Sequence, residues 1–135
     1  MKKEEIDALV LELRSDSPEK VAQAAKRIQD SSTPADVPML IELLKDSDFV
    51  VREAAAWPLS DMGRVETLPD LFIALQRGFE EGWDNDGLLA AISDMACLYK
   101  SEVKTKLIEM SEGADENLNE NIEWLLEYCE PGHLE

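Results

Sequence analysis

The chain has 135 residues, 44% hydrophobic and 32% charged, with 30 Asp and Glu against 13 Lys and Arg. That composition belongs to a folded chain rather than a disordered tail, and the length suits one domain burying about two-thirds of its unfolded surface. A net charge of −17 repels nucleic acid and anionic membrane and attracts a basic partner.

Lys2 and Lys3 are followed by Glu4, Glu5 and Asp7, which break any signal-peptide apolar core. No apolar run approaches the roughly 20 residues that span a membrane. The expected location is cytoplasmic. Apolar periodicity predicts helices at 3–14, 18–29, 35–45, 48–62, 66–77, 86–99, 101–111 and 116–129, with almost no strand alternation. "SDSP" and "SSTP" place a capping hydroxyl or carboxylate before a proline at the first helical position. Gly63 and Gly113 stand just past helix ends. Pro58 interrupts the fourth helix, where it removes one backbone hydrogen bond at a cost of about 3 kcal/mol. The expectation is a kink that changes local curvature, or one that tilts Trp57 toward a ligand.

The helices pair into four units of about 30 to 36 residues. Val51, Ala55, Leu59 and Met62 of the fourth helix share a phase with Gly87, Ala91, Met95 and Leu98. Leu118, Ile122, Leu126 and Cys129 repeat it, and Val21, Ala24, Ala25 and Ile28 follow with a slip of about one residue. Such a face is buried only by stacking neighbouring hairpins.

"DSDFVVREAAAWPLSDMG", residues 46–63, resembles the HEAT-like repeat of phycobilisome lyases, D-x-x-x-x-V-R-x-x-A-A-x-A-L-G-x-I-G. Asp46, Val51, Arg52, Ala55, Ala56, Leu59 and Gly63 match. Met62 replaces the isoleucine, Pro58 an alanine and Ser60 a glycine, and the other three units lack the arginine. The resemblance implies an all-α fold, an α-solenoid of about four hairpins in a right-handed stack. It forms a single domain, 1–135, with units near 1–31, 32–63, 64–99 and 100–131.

In such stacks the second helix of each pair lines the concave face. With Val51, Ala55, Leu59 and Met62 turned inward, Glu53, Trp57, Ser60 and Arg64 fall on the open side. The same offset gives Ser93 in the third unit, with Leu89 and Ala96 beside it. In the fourth it gives Trp124, with Glu120 and Glu127 equivalent to Glu53 and Ser60. Two tryptophans among carboxylates suit a protein-binding groove, although either indole would also serve as packing between repeats. "RGFEEGWDNDG" reads as a longer irregular linker offering Trp83 and Asp84 to a partner, or folding Phe79 and Trp83 back as a plug.

The remaining chemistry is sparse. "DNDG" at 84–87 starts like a calcium loop but has Met95 where the closing Glu belongs, so helix capping by Asp84 or Asp86 explains it. Cys97 and Cys129 read as buried reduced thiols. His133 has no second histidine, and there is no phosphate-binding glycine loop or nucleophile–His–acid set. No metal or cofactor is expected. Acids at 116, 120, 123, 127 and 130 form a negative helix face, and no Lys or Arg follows Lys106.

The leading reading is a non-enzymatic module, monomer or weak dimer, that docks a basic protein, such as an immunity protein neutralising a cationic toxin. The alternatives are a phycobilin lyase-like enzyme or chaperone, and a generic scaffold. A HEAT-like DNA glycosylase would need a basic concave surface.

Overall fold

The computed structural model describes residues 1–130. His133 and the Leu134–Glu135 terminus lie outside the described residues. Those described form α1 (Lys3–Leu13), α2 (Pro18–Ser31), α3 (Val37–Leu43), α4 (Phe49–Asp61), α5 (Leu68–Glu80), α6 (Asp86–Leu98), α7 (Lys100–Ser111) and α8 (Glu116–Tyr128). Single 3₁₀ turns, Pro34–Asp36 and Val65–Thr67, lead into α3 and α5, and no strand occurs among the described residues. The fold is all-α, built of helical hairpins. It divides into two compact units, Met1–Met62 and Gly63–Glu135.

In the first unit α1 pairs with α2, α3 pairs with α4, and α2 packs along α4. The breaks between helices are closed by short polar side chains. Ser17 Oγ accepts from the Lys20 N–H at 3.3 Å, with Pro18 at the first helical position. The Asp36 carboxylate accepts from the Thr33 N–H at 2.8 Å and from the Met1 amino group at 2.8 Å. Burial works to raise the Asp36 pKa, but these donors outweigh it and hold the carboxyl below its usual value.

The turn between α3 and α4 is the most heavily tied segment of this unit. Asp46 Oδ1 accepts from the Asp48 N–H and Asp48 Oδ1 from the Val50 N–H, each at 2.8 Å, which caps α4. Arg14 Nη2 donates to Asp46 Oδ2 at 2.6 Å and so ties the turn after α1 to the turn after α3. Behind them Arg52 is fully buried. Its Nη1 donates to the Asp46 carbonyl at 2.9 Å, and its guanidinium lies 5.7 Å from the Phe49 ring centroid. The arginine that carried the repeat resemblance is therefore a staple inside the hairpin.

Pro58 does not end α4. The helix runs on to Asp61, and the Met62 N–H donates to the Pro58 carbonyl at 3.0 Å. What the proline removes is the one donor that the Ala54 carbonyl would otherwise receive.

In the second unit α5 pairs with α6, and α6, α7 and α8 pack on one another. Here the structure corrects the expected long linker. Gly78, Phe79 and Glu80 belong to α5, so only residues 81–85 connect it to α6. The helix ends in a Schellman turn. The Trp83 N–H donates to the Gly78 carbonyl at 2.9 Å and the Gly82 N–H to the Phe79 carbonyl at 3.1 Å, with Gly82 at φ 87°.

Gly78 acts as a packing slot rather than a helix breaker. Buried Asn85, in the left-handed region at φ 60°, lies against it and donates through Nδ2 to the Leu75 carbonyl at 2.9 Å. Asp84 Oδ1 accepts from the Asp86 N–H at 3.1 Å, at the start of α6.

The expected inward phases hold for Val51, Ala55 and Leu59 and for Ala91, Met95 and Ile122, all buried. Leu98 is a correction: it is 69% exposed, because α6 ends there and a phase carried to the last residue loses its neighbours. In α8 the fully buried residue is Leu125, and Leu126 is only half-buried. Both cysteines are free; Cys129 is buried but Cys97 is half-exposed, which corrects the expectation of two buried thiols. Burial, reinforced by Glu130, raises the Cys129 pKa.

Candidate functional site

α4 is buried on nearly every side: Val51, Arg52, Ala54, Ala55, Ala56, Pro58, Leu59 and Ser60 are all below the surface. What stays open is Phe49 and Val50 in the first turn and then one narrow stripe, Glu53, Trp57 and Asp61, at helical spacing. Trp57 and Glu53 therefore do share an accessible face. Ser60, expected beside them, is 1% exposed. The run of alanines around it adds little bulk, so α4 sinks almost entirely into its surroundings and only the i, i+4 row through Trp57 remains. Arg64 lies past the end of α4, so the helical offset does not apply to it. It is half-buried and paired with Glu66 at 3.6 Å.

Within the first unit this stripe borders a cleft of about 580 Å³ between α2 and α4. Val21, Ala25, Ala54 and Trp57 supply an apolar lining, and Glu53, Lys26 and Gln29 supply polar groups. Gln29 Nε2 donates to Asp61 Oδ2 at 2.8 Å across the two helices, and Lys26 pairs with Asp30 at 3.1 Å. The Ala54 carbonyl, deprived of a donor by Pro58, belongs to a residue of this lining. The cation in the cleft was not anticipated. It was missed because the offset from Glu53 and Trp57 was carried to the third and fourth units and not to α2, where Lys26 sits.

In the second unit, Glu120, Trp124 and Glu127 share a face of α8. Both carboxylates are exposed and Trp124 is half-buried. The indole packs edge-on against Tyr128, one turn on, with ring centroids 5.5 Å apart and planes at 67°. Ser93 is half-buried, its Oγ donating to the Ala90 carbonyl at 3.1 Å. Leu89 is half-buried, but Ala96, expected in the groove, is fully buried. Trp83 is 51% exposed and Phe79 47%, so neither is folded away as a plug, and Asp84 is exposed beside Trp83.

Charge separates the two units. Residues 1–62 carry eight basic and thirteen acidic side chains, while residues 63–135 carry five against seventeen. Among the described residues no group of three His, Cys, Asp or Glu side chains comes together in a geometry able to hold a metal ion. No helix of the described residues is long and apolar enough to cross a membrane.

Paired antiparallel helices, with the second helix of one hairpin packed on that of the next, define a helical-repeat protein. The arrangement presents helix faces and the clefts between them, and these are surfaces for binding. The family model for HEAT repeats matches residues 6–93, and the chain belongs to that family. HEAT repeats commonly mediate protein binding, and the match carries nothing specific to pigment attachment. No curated protein matches the chain, and neither does any solved structure.

Proposed function

We propose that this protein is a non-enzymatic docking module for a basic protein, acting through aromatic side chains set among carboxylates. The supporting observation is the α8 face. Trp124 lies between exposed Glu120 and Glu127 in a stretch, from residue 107 onward, that has nine acids and no Lys or Arg. Acidic side chains at i, i+3 and i+4 repel one another and weaken the helix by a few tenths of a kcal/mol per pair. An attractive field for a cationic surface compensates by speeding encounter, and the half-buried indole supplies apolar contact. The Trp57 cleft is the matching feature of the first unit. The concrete version is an immunity or inhibitor protein that covers the nucleic-acid site of a cationic toxin.

With a purified partner, Trp124→Ala is expected to weaken binding about tenfold or more, as for a central aromatic anchor. Glu120→Lys with Glu127→Lys slows association in proportion to the charge reversed. Glu120 and Glu127 are exposed, so their reversal changes the melting temperature little, whereas Trp124→Ala also loses the edge contact to Tyr128 and costs about 1 kcal/mol of stability. Unchanged affinity and association rate in both variants, with binding intact, would place the docking face elsewhere.

A further inference from the structure

The second unit contains an apolar pocket that the aromatic faces do not use. It lies between α5 and the start of α8, closed below by Met110 of α7, and has a volume of about 420 Å³. Phe72, 2% exposed, forms its floor with Met110 and Leu118, and Ile73, 67% exposed, stands at its lip. The charged side chains lining it are Glu80 and Asp115; no Lys or Arg of the described residues does so. Asp115 Oδ1 accepts the Leu118 N–H at 2.8 Å, which fixes one carboxylate at the α8 end of the rim. Gln76 Nε2 donates to Glu80 Oε1 at 3.4 Å on the α5 side.

We propose that this pocket receives a cationic amphipathic segment of a protein partner, an apolar side chain entering over Phe72 while flanking Lys or Arg meet Glu80 and Asp115. The choice of occupant rests on charge complementarity. An apolar floor alone would accept any hydrophobe. A rim with two carboxylates and no cation, in a unit with five basic and seventeen acidic residues, selects a positively charged one. An exposed isoleucine beside a buried phenylalanine suits an inserted side chain, since Phe72 would meet its tip and Ile73 would shield its flank from water. This inference rests on the docking reading above and adds the place and chemistry of one contact.

The test is an NMR titration of the full chain with a short amphipathic peptide of leucine and lysine. A peptide of the same pattern with glutamine in place of lysine serves as the control. Shifts are expected at Phe72, Ile73, Met110 and Leu118, with the glutamine peptide at least about tenfold weaker. Ile73→Glu and Glu80→Lys, both at exposed positions, should each lower affinity about tenfold with unchanged melting. Equal binding of the two peptides would overturn the proposal, as would indifference to both substitutions. Shifts confined to Trp57 or Trp124 would overturn it while leaving the docking reading intact. Failure of the lysine peptide to bind would also overturn it, and the Trp124 and Glu120/Glu127 variants then judge the docking reading separately.

Discussion

Arg52→Ala is expected to destabilise the protein by about 3 kcal/mol or more, lowering its melting temperature by roughly 10 °C. Three losses coincide. The largest fully buried side chain is replaced by a methyl group, leaving a cavity. The Asp46 carbonyl loses the donor that reaches it at 2.9 Å, and the Phe49 ring loses the cation 5.7 Å from its centroid. Arg52→Met separates these contributions, because methionine refills much of the volume but donates nothing. It should recover part of the loss and leave the hydrogen-bond share. Amide exchange at Asp48 and Val50 should quicken in both variants, since the turn that caps α4 is held from behind by this guanidinium. A melting temperature within about 2 °C of wild type for Arg52→Ala would refute the staple role.

Gly78→Ala reverses a familiar expectation. Alanine in place of glycine inside a helix ordinarily stabilises by about 1 kcal/mol. Here a Cβ would collide with Asn85 Oδ1 and come 2.8 Å from its Cγ. Asn85 has little freedom to withdraw. It is fully buried, its backbone is left-handed, and its Nδ2 is committed to the Leu75 carbonyl. The expected result is a loss of about 2 kcal/mol, by displacement of the asparagine and disturbance of the short connection into α6. The double variant Gly78→Ala with Asn85→Gly should regain much of this, since glycine accepts φ 60° and clears the slot. A single variant more stable than wild type would show that Asn85 moves aside at no cost.

These two positions illustrate what can and cannot be read along the chain. The apolar phase, the Ser17–Pro18 cap and the Asp46-to-Gly63 stretch report helices and their pairing. Each is local: the partners lie within a helical turn or one hairpin. The Gly78–Asn85 slot is invisible to the same reasoning. A lone glycine before "FEEGWDNDG" signals a break as readily as a close approach, and only the folded connection places Asn85 against it. Ser60 and Ala96 were placed on open faces for a related reason. A helical offset assigns a residue to a side of its own helix but does not say how wide a stripe its neighbours leave. On α4 that stripe is one residue broad and runs through Glu53 and Trp57. The pocket over Phe72 depends on three helices at once, and Ile73 alone reads only as an exposed apolar residue.

The alternating roles of carboxylates follow the same division. Asp36, Asp46 and Asp48 accept backbone or terminal N–H groups and are structural, while Asp115 caps α8 through one oxygen and also lines the pocket over Phe72. Glu120 and Glu127 cap nothing and are exposed on the α8 face, which is where the proposed docking would meet them.

Whether this acidic face holds a basic protein is decided by affinity capture from native lysate at low and at high salt, with the bound proteins identified by mass spectrometry. The expected result is a basic protein retained at low salt and released as ionic strength screens the carboxylates. A specifically retained partner that is acidic, or one whose retention does not change with salt, would contradict it.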